Sequence, residues 1–352
     1  MTTLLETLCA RIGRTGPMTV ADYMQDCLMH PQYGYYSTRD PLGSAGDFTT
    51  APEISQMFGE LMGLCLAQAW LDQGAPPSFT LAELGPGRGT LMADMLRATV
   101  KVPGFHDAAK VHFVETSAAL KTKQAEAVPD AVWHDTAAQL PDAPLFLVAN
   151  EFLDALPVRQ FIRDAGGWRE RMIGARDGAL YFGLSDPTPL SLLDHRLADT
   201  KPGDLVEHCP ALSGITTAIS NRIAEQGGAA VIIDYGDWQS LGDTLQAMAN
   251  HAYVDPLAAP GDADLTTHVD FAAIARHAAP ARHTRLTTQG MFLERLGITQ
   301  RAQTLAAGLE GAALDAHIKA HRRLTHPGEM GDLFKVIGLY PATGNAPPGL
   351  EP

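Results

Sequence analysis

Runs of apolar residues that each end in a polar residue predict a parallel sheet. They lie at Phe79–Ala82, Val111–Val114, Ala131–His134, Leu145–Ala149 and Ala229–Ile233, with helical patterns between several of them. Strands covered on both faces read as largely continuous apolar runs, so the alternation predicts an α/β fold with a Rossmann-like doubly wound sheet. The polar residues that this arrangement gathers at one edge of the sheet are Glu83, Glu115, Asp135, Asn150, Glu151 and Asp234.

The remaining patterns divide the chain around this sheet. Residues 1–75 are predicted to form an N-terminal helical segment with one irregular loop, and residues 76–160 and 228–345 to form the sheet core with additional helices. Residues 161–227 contain short alternating segments between glycine-rich turns, a pattern typical of an antiparallel meander. They predict a smaller inserted lobe, and residues 346–352 are predicted to form a tail.

Beyond Asp234 the pattern indicates a mostly helical stretch, with the sheet ending in segments 282–289 and 334–339. The final residues, 341–352, are rich in proline and glycine. Chain ends of this composition are often poorly ordered, so this segment is expected to fray.

The first apolar run leads into a glycine-rich turn, Glu83-Leu84-Gly85-Pro86-Gly87-Arg88-Gly89-Thr90. Glycines at alternate positions allow positive φ and a close approach of backbone amides to a ligand. In the dinucleotide fingerprint, two residues separate the last two glycines. Here a single residue, Arg88, separates Gly87 from Gly89. The spacing favours a nucleoside cofactor without a pyrophosphate, and a tight strand-to-helix turn without a ligand is the alternative. The predicted cofactor contacts in the turn are Glu83, Gly85, Gly87, Gly89 and Thr90.

Polar residues after the next runs are predicted to complete the cofactor site. Glu115 would lie at the carboxyl end of the neighbouring strand, where a carboxylate can accept from ribose hydroxyls. Asp135 is placed to meet an adenine amino group, and Asn150 follows the fourth run. The alternatives are that Glu115 caps the next helix and that Asp135 caps a turn.

The loop from Tyr33 to Glu53 precedes a helix with a strong apolar pattern and is predicted to form a lid across the cofactor. Thr50 and Glu53 have the spacing of a capping box, with Pro52 in the first turn. Capping is therefore the alternative role of Glu53. The predicted cofactor contacts in the loop are Gly46, Asp47 and Thr49.

Composition narrows the class of protein. A chain of 352 residues with 45% hydrophobic content can bury a large core and carry a second lobe. A net charge of −14 disfavours binding to nucleic acid, whose phosphates are negative, and favours binding of a cationic peptide substrate. No run reaches the roughly 18 apolar residues of a membrane span, so no membrane insertion is expected. A cytoplasmic location with reduced thiols is expected because no paired spacing occurs among the cysteines, Cys9, Cys27, Cys65 and Cys209.

Several segments together resemble the MidA-like family of class I S-adenosylmethionine-dependent methyltransferases. The resemblance spans most of the chain and departs from the pattern at Ala118, where a proline is common. It implies S-adenosyl-L-methionine as cofactor and methylation of an arginine in a protein. It further implies a subunit of respiratory complex I (NADH dehydrogenase) as the partner, and a mitochondrial matrix location in the eukaryotic members. The segments that carry it are 30–36, 46–54, 58–60, 83–90, 115–117, 150–157, 234–236 and 268–271.

Methyl transfer to a guanidinium needs groups that orient it and help to remove its proton, because arginine is protonated at neutral pH. Glu151 and Asp154 are predicted to do this from one face of a helix that begins after the fourth run. Asp234 and His268 are further catalytic candidates. The alternatives are an acid pair at a helix start, favoured by the helix dipole, and a structural histidine near a helix capped by Thr267.

A histidine cluster, His317, His321 and His326, is not predicted to bind a metal. No acidic or cysteine ligand accompanies it at a familiar spacing, so a solvated helix face is the better interpretation.

Three functions stay open at the level of sequence. The first is arginine methylation of a respiratory-chain subunit, and the second is methylation of another protein or of a small molecule, since fold and cofactor do not fix the acceptor. The third is an assembly chaperone that binds the cofactor without catalysis. A dehydrogenase is a more distant alternative.

Overall fold

The computed structural model describes residues 2–38, 49–249 and 251–352. Its internal contacts separate two compact units, each assembled from three segments of the chain. The core unit, as we name it, comprises Leu42–Leu153, Leu212–Trp238 and Phe271–Pro352. The lobe unit comprises Met1–Pro41, Asp154–Ala211 and Gln239–Asp270.

The strands and helices of the described residues follow in chain order. The strands are β1 (Met18–Thr19), β2 (Phe79–Leu84), β3 (Ala109–Val114), β4 (Val132–His134), β5 (Leu145–Asn150), β6 (Arg159–Asp164), β7 (Gly167–Arg176), β8 (Ala179–Leu184), β9 (Leu205–His208), β10 (Gly228–Asp237), β11 (Gln246–Ala249), β12 (Ala252–Val254), β13 (Asp264–Thr266), β14 (Val269–Asp270), β15 (Arg282–His283), β16 (Thr287–Thr288) and β17 (Phe334–Tyr340). The helices are α1 (Leu4–Thr15), α2 (Val20–Met29), α3 (Tyr35–Thr38), α4 (Ala51–Ile54), α5 (Gln56–Asp72), α6 (Thr90–Thr99), α7 (Phe105–Ala108), α8 (Ala118–Ala127), α9 (Pro210–Gln226), α10 (Phe271–Arg276), α11 (Gln289–Arg295), α12 (Ile298–Ala306) and α13 (Gly311–Thr325).

The core unit is built on a mixed sheet with the strand order β15-β17-β10-β5-β2-β3-β4. Strands β4, β3, β2, β5 and β10 pair in parallel, and β17 runs antiparallel to β10. The chain builds outward from β2 to β4 and then returns to place β5 on the other side of β2. This reversal creates a crevice at the carboxyl ends of β2 and β5, where doubly wound sheets bind ligands. The predicted doubly wound α/β fold is confirmed.

Close helix packing covers one part of the core. Helices α5 and α6 approach at two glycines of α5: a Cβ built on Gly59 would lie 2.6 Å from the Asp94 Cβ, and one on Gly63 would lie 2.7 Å from the Met95 backbone. Glycine is required there because no other residue leaves room for the neighbouring backbone. Helix α5 in turn contributes Trp70 to the aromatic part of the hydrophobic core.

The lobe unit contains antiparallel sheets and the first three helices. One sheet has the order β1-β7-β6-β9, with β8 added to β7, and a smaller one has the order β12-β11-β13. The predicted meander corresponds to β6, β7 and β8, and its antiparallel pairing is confirmed. Helices α1 and α2 each begin with a capping box, Thr3 with Glu6 and Thr19 with Asp22, which satisfies backbone donors at their first turns.

Two local predictions are wrong. The stretch after Asp234 is not mostly helical up to residue 270, because β11, β12 and β13 pair with one another there. The last residues do not fray: Leu350 is buried, and the Arg295 side chain donates to the Gly349 carbonyl at 3.2 Å and to the Glu351 carboxylate at 2.6 Å. Packing partners distant in sequence thus override the local composition.

Replacing Gly63 with alanine should destabilise the protein, because the new methyl group would overlap the Met95 backbone. Overpacking of this kind costs roughly 1–3 kcal/mol of unfolding free energy. Gly214→Ala is the matched control, since Gly214 lies in α9 with no atom within 4 Å of its added Cβ. That control should be neutral or stabilising by up to ~1 kcal/mol. Denaturant unfolding of both variants measures the contrast, and equal stability would contradict the close helix contact.

Candidate active site

The glycine-rich turn follows β2 at the crevice of the core unit. Gly85, Gly87 and Gly89 have φ values of 60°, 54° and 83°, in the left-handed region that favours glycine. A Cβ on Gly85 would lie 2.6 Å from the Phe152 ring, and one on Gly89 would lie 3.2 Å from the Ala127 methyl group. The backbone conformation therefore favours glycine at all three positions, and the Phe152 ring leaves no room for a side chain at Gly85. Helix α6 begins directly after it, at Thr90.

Glu83 lies near the end of β2 and is buried, with 3% of its surface exposed. Burial raises the pKa of its carboxyl group to about 8, against a smaller lowering effect of a hydrogen bond with the Met92 backbone. Its Oε2 atom has no hydrogen-bond partner among the described residues. Buried polar atoms are nearly always hydrogen-bonded in folded proteins, so this oxygen fits a donor supplied by a ligand.

Glu115 follows β3, and its carboxylate is held from two sides. Oε1 accepts from the backbone N–H groups of Thr116 and Ser117, both at 2.7 Å, and Oε2 accepts from the Gln124 amide at 3.1 Å. Burial raises the pKa of Glu115, while these hydrogen bonds, led by that of Ser117, lower it. The carboxylate is therefore fixed beside the glycine-rich turn.

Gln124 is a residue of this site that sequence reasoning missed. It lies in α8, is fully buried, and also donates to the Gly87 carbonyl at 2.8 Å. Its Oε1 accepts from the Trp133 indole nitrogen at 2.8 Å. A glutamine within the polar helix Ala118–Ala127 gives no sequence signal, because its partners come from other elements.

Asn150 and Glu151 lie where β5 ends. Glu151 Oε1 accepts from the Asn150 side-chain amide at 3.0 Å and from the Ala51 N–H, at the start of α4, at 2.9 Å. In the described part of the chain, Asn150 Oδ1 is a buried oxygen without a hydrogen-bond partner. Glu151 has φ 51°, a left-handed conformation that is uncommon for a residue other than glycine.

No helix begins at Glu151, so the predicted helical pairing of Glu151 with Asp154 is wrong. Residues 151–156 form bends and a turn, because the φ of Glu151 is incompatible with a right-handed helix. The Leu153 N–H donates at 2.9 Å to the Asp234 carboxylate rather than to a helical partner. Asp234 is buried in β10 and also accepts from the Tyr235 N–H at 2.9 Å.

Glu151 and Asp234 lie on neighbouring strand ends. Asn150 pairs with Ile233 in the β5–β10 ladder, and the Glu151 N–H donates to the Ile233 carbonyl at 3.0 Å. The structure therefore brings these two catalytic candidates to one edge of the core sheet.

The alternative role of Glu53, in a capping box with Thr50, does not occur in the structure. Thr50 is the N-cap residue of α4 but makes no side-chain capping bond, and the Glu151 carboxylate takes the Ala51 N–H instead. Glu53 Oε1 accepts from the Thr90 hydroxyl at 2.7 Å, which ties α4 to the first turn of α6. Among the predicted loop contacts, the Thr49 carbonyl accepts from Arg323 at 3.4 Å. Gly46 and Asp47 lie outside the described residues.

Asp135 lies after β4 on an exposed turn. Its carboxylate forms an ion pair with Lys121 Nζ at 3.1 Å, and its backbone N–H donates to Gln139 Oε1 at 2.8 Å. Its contact with an adenine stays a prediction.

The other two catalytic candidates, Asp154 and His268, belong to the lobe unit. The Asp154 carbonyl accepts from the Thr267 N–H at 3.0 Å, and the His268 N–H donates to the Thr244 hydroxyl at 2.8 Å. That hydroxyl in turn donates to the buried Glu207, whose pKa is raised by burial. These bonds fix the backbone on both sides of Thr267, and a catalytic role for either residue stays a prediction.

The histidines of α13 have partners of their own. His317 Nε2 lies 2.9 Å from the Ala302 carbonyl, and His321 Nε2 lies 3.2 Å from the Thr299 hydroxyl, so both contact α12. They form a helix contact rather than the predicted solvated face. Within the described ranges, no group of three or more histidine, cysteine or acidic side chains could hold a metal ion.

The site fits a nucleoside cofactor that carries cationic and hydroxyl donors. The buried oxygens of Glu83 and Asn150 can accept from such donors. A pyrophosphate is disfavoured, because its negative charge would meet the Glu115 carboxylate beside the turn. A doubly wound sheet of this order with such a turn defines the class I methyltransferase fold.

Comparisons with known proteins agree with this class. A family model described as S-adenosyl-L-methionine-dependent methyltransferase matches residues 61–291. Protein arginine methyltransferase NDUFAF7, mitochondrial, of Mus musculus is 37% identical over 97% of this chain and 85% of the mouse protein. Its homolog in Drosophila melanogaster is 36% identical over 96% of this chain and 85% of the fly protein.

A solved structure extends the similarity to the fold of nearly the whole chain. A protein from Burkholderia thailandensis, bound to S-adenosyl-homocysteine in its crystal structure, superposes with a TM-score of 0.83 and 29% identity. The match covers 98% of this chain and 94% of that one. The chain therefore belongs to the family of S-adenosyl-L-methionine-dependent methyltransferases, and the resemblance seen in its sequence motifs is confirmed. Its cofactor is S-adenosyl-L-methionine.

None of the helices in the described parts of the chain is long and apolar enough to cross a membrane. The curated relatives from mouse and fly carry the word mitochondrial in their names.

Replacing Glu83 with glutamine should flatten the pH dependence of stability of the ligand-free protein. Burial raises the pKa of Glu83 from 4.5 to about 8, so the folded state keeps a proton that the unfolded state has released. The contribution of this group to the free energy of unfolding should fall as pH rises from about 5 to about 8, by at most ~1.4 kcal/mol per pH unit. Denaturant unfolding of both proteins across this range measures the difference. Identical pH profiles would contradict the raised pKa.

Replacing Gly87 with valine should abolish cofactor binding. A β-branched residue is strongly disfavoured at φ 54°, and its side chain would enter the turn where the ligand approaches the backbone. Titration calorimetry with S-adenosyl-homocysteine should show at least about a tenfold loss of affinity, or ~1.4 kcal/mol.

Gly74→Val is the matched control for this substitution. Gly74 has φ 84° and open space around an added Cβ, so the variant carries comparable backbone strain outside the turn. It should keep the cofactor affinity. An unchanged affinity of Gly87→Val would refute the assignment of the turn as the cofactor loop.

Proposed function

We propose that this methyltransferase methylates arginine side chains of a protein. The observation that carries the proposal is the similarity over nearly the whole chain to relatives named protein arginine methyltransferases, at 34–37% identity and 96–97% coverage. The similarity includes the lobe unit, which a cofactor-binding sheet alone does not need. A respiratory complex I subunit stays the predicted partner, on the strength of the sequence resemblance.

The cofactor would be held by residues at the carboxyl edge of the core sheet. Glu83 and Asn150 offer buried oxygens that a ligand can satisfy, Glu115 offers a fixed carboxylate for a ribose hydroxyl, and the glycines of the turn allow a close backbone approach. Thr49, Thr90 and Asp135 are further proposed contacts. When bound, the cofactor supplies an electrophilic methyl group on a sulfonium.

Glu151 is the residue that we propose to act on the arginine. Its left-handed backbone costs of order 1–3 kcal/mol, and such strain concentrates at functional sites. The bonds from Asn150 and Ala51 fix one carboxylate oxygen in place. A fixed carboxylate can orient a guanidinium through paired hydrogen bonds and accept its proton as the methyl group is transferred.

Asp234 lies on the neighbouring strand, where its bonds to the Leu153 and Tyr235 backbones hold the segment after Glu151. We propose Asp234 mainly as the residue that shapes this strand end. Asp154 and His268 stay catalytic candidates from the sequence.

Incubation of the protein with labelled S-adenosylmethionine and a cell extract tests the proposed acceptor. We expect label in a protein band, and hydrolysis of that band should release methylarginine. Label in another amino acid or in a small molecule would overturn the arginine assignment. No labelled product at saturating cofactor would favour a cofactor-binding chaperone.

Glu151→Gln tests the proposed role of the charge. The amide oxygen of glutamine can still accept from the Ala51 N–H, so the start of α4 stays capped while the negative charge is lost. Methyl transfer should fall by about 10²-fold or more, as expected for loss of an acid–base group, with cofactor affinity nearly unchanged. Labelling rates and calorimetry measure the two quantities.

Glu126→Gln, at an exposed position of α8, is the matched control and should be fully active. If Glu151→Gln were as active as that control, the role of Glu151 would be to cap α4. If it lost cofactor affinity instead, Glu151 would belong to the cofactor contacts.

A further inference from the structure

Gln124 connects the glycine-rich turn to the carboxylate after β3. Its side-chain amide donates to the Gly87 carbonyl at 2.8 Å and to Glu115 Oε2 at 3.1 Å. Helix α8 packs against the turn at the same point, where a Cβ on Gly89 would lie 3.5 Å from the Gln124 Cα. Glutamine is seldom fully buried, and this one has none of its surface exposed.

Trp133 fixes which way the amide of Gln124 faces. An indole nitrogen can only donate, so the atom that lies 2.8 Å from it must be the amide oxygen. The NH₂ group is then directed to the Gly87 carbonyl and the Glu115 carboxylate, which can only accept. A flipped amide would oppose donor to donor and acceptor to acceptor, so Trp133 on β4 determines the geometry at the other two groups.

Gln124 donates to the carboxylate oxygen of Glu115 that can still accept a hydrogen bond from a ligand. Oε1 already accepts from the backbone of Thr116 and Ser117, which uses both of its lone pairs. Oε2 accepts from Gln124 alone among the described residues, so one of its lone pairs is available. The orientation of that lone pair depends on the bond from Gln124.

The bond to the Gly87 carbonyl has a second effect on the turn. Because the peptide group is planar and trans, fixing the Gly87 carbonyl towards α8 directs the Arg88 N–H to the opposite side. The same amide therefore sets the peptide plane in the middle of the turn and the carboxylate beside it.

We propose that Gln124 is a positioning residue that makes the site selective for a nucleoside with intact ribose hydroxyls, by aiming Glu115 Oε2 at one of them. The proposal rests on the part of the proposed function that assigns Glu115 to the ribose. It does not depend on the identity of the methyl acceptor. The required ligand chemistry is a hydroxyl donor on the sugar.

The test compares S-adenosyl-homocysteine with its 2′-deoxy and 3′-deoxy analogues by titration calorimetry. The wild-type protein should bind at least one deoxy analogue about tenfold more weakly. Gln124→Met keeps the size of the side chain but removes its hydrogen bonds. This variant should bind S-adenosyl-homocysteine about tenfold more weakly than the wild-type protein does. The ratio of its affinities for S-adenosyl-homocysteine and for the deoxy analogue should be close to one.

Two further variants complete the test. Trp133→Phe removes the indole donor and keeps an aromatic side chain, although a smaller one. It should lower the affinity ratio in the same direction, which keeps the proposal testable if Gln124→Met fails to fold. Gln68→Met, on the exposed face of α5, is the matched control and should keep both affinity and ratio.

An equal loss of affinity for all three ligands in Gln124→Met would overturn the positioning role, because general loosening of the turn would not distinguish the sugars. A wild-type protein without preference for the ribose hydroxyls would overturn both this inference and the ribose assignment of Glu115. A third outcome is that the wild-type protein prefers the intact ribose, that Gln124→Met loses this preference, and that no arginine is methylated. That outcome would overturn only the proposed acceptor.

Discussion

The register of the parallel strands β2, β3, β5 and β10 is the constraint on which the rest of the structure depends. Leu84 pairs with Val114 and Ala149, and Ile233 pairs with Asn150, so the chain leaves these strands at one level. The backbone continues the same alignment past the strand ends, where the Gly85 N–H donates to Val114 and the Glu151 N–H to Ile233. A slip of one residue would turn the polar side chains of this edge to the opposite face of the sheet.

The edge so formed combines features that are unfavourable in a protein without its ligand. Glu83 is buried with its pKa raised, Asn150 has a buried oxygen that no described residue satisfies, and Glu151 adopts a left-handed backbone. Burial of an unsatisfied polar group costs free energy, which a bound ligand with matching donors recovers. Such a ligand also stabilises the folded state by mass action. Locally unfavourable features of this kind are expected at sites where a protein binds a ligand or catalyses a reaction.

Sequence patterns predicted the parts of the molecule that depend on local periodicity. Buried parallel strands such as Leu145–Asn150 are continuous apolar runs, and the glycines of the turn are readable because only glycine takes positive φ at no cost. The helix predicted at Glu151 failed because its conformation is set by partners such as Ala51, a hundred positions earlier in the chain. The capping box that the spacing of Thr50 and Glu53 offered as an alternative does not form, because Glu53 instead accepts from Thr90 of another helix. Gln124 was missed because a polar residue in a polar helix carries no mark of the strands that surround it.

The division of the chain into interleaved segments has a consequence for dissecting the molecule. The core unit is interrupted after Leu153 and again after Trp238, shortly beyond the ends of β5 and β10. Neither unit can therefore be cut out as one continuous fragment. A break in the backbone after Leu153 would place the paired strands β5 and β10 on different fragments, and a break after Trp238 would do the same to β10 and β17. During synthesis, β10 follows the lobe segment Asp154–Ala211, and β17 follows the later lobe segment Gln239–Asp270 as well. Until β10 has been made, Leu145–Asn150 therefore has an open apolar edge where its later partner will pair. Chaperone protection of nascent chains would matter most during that interval.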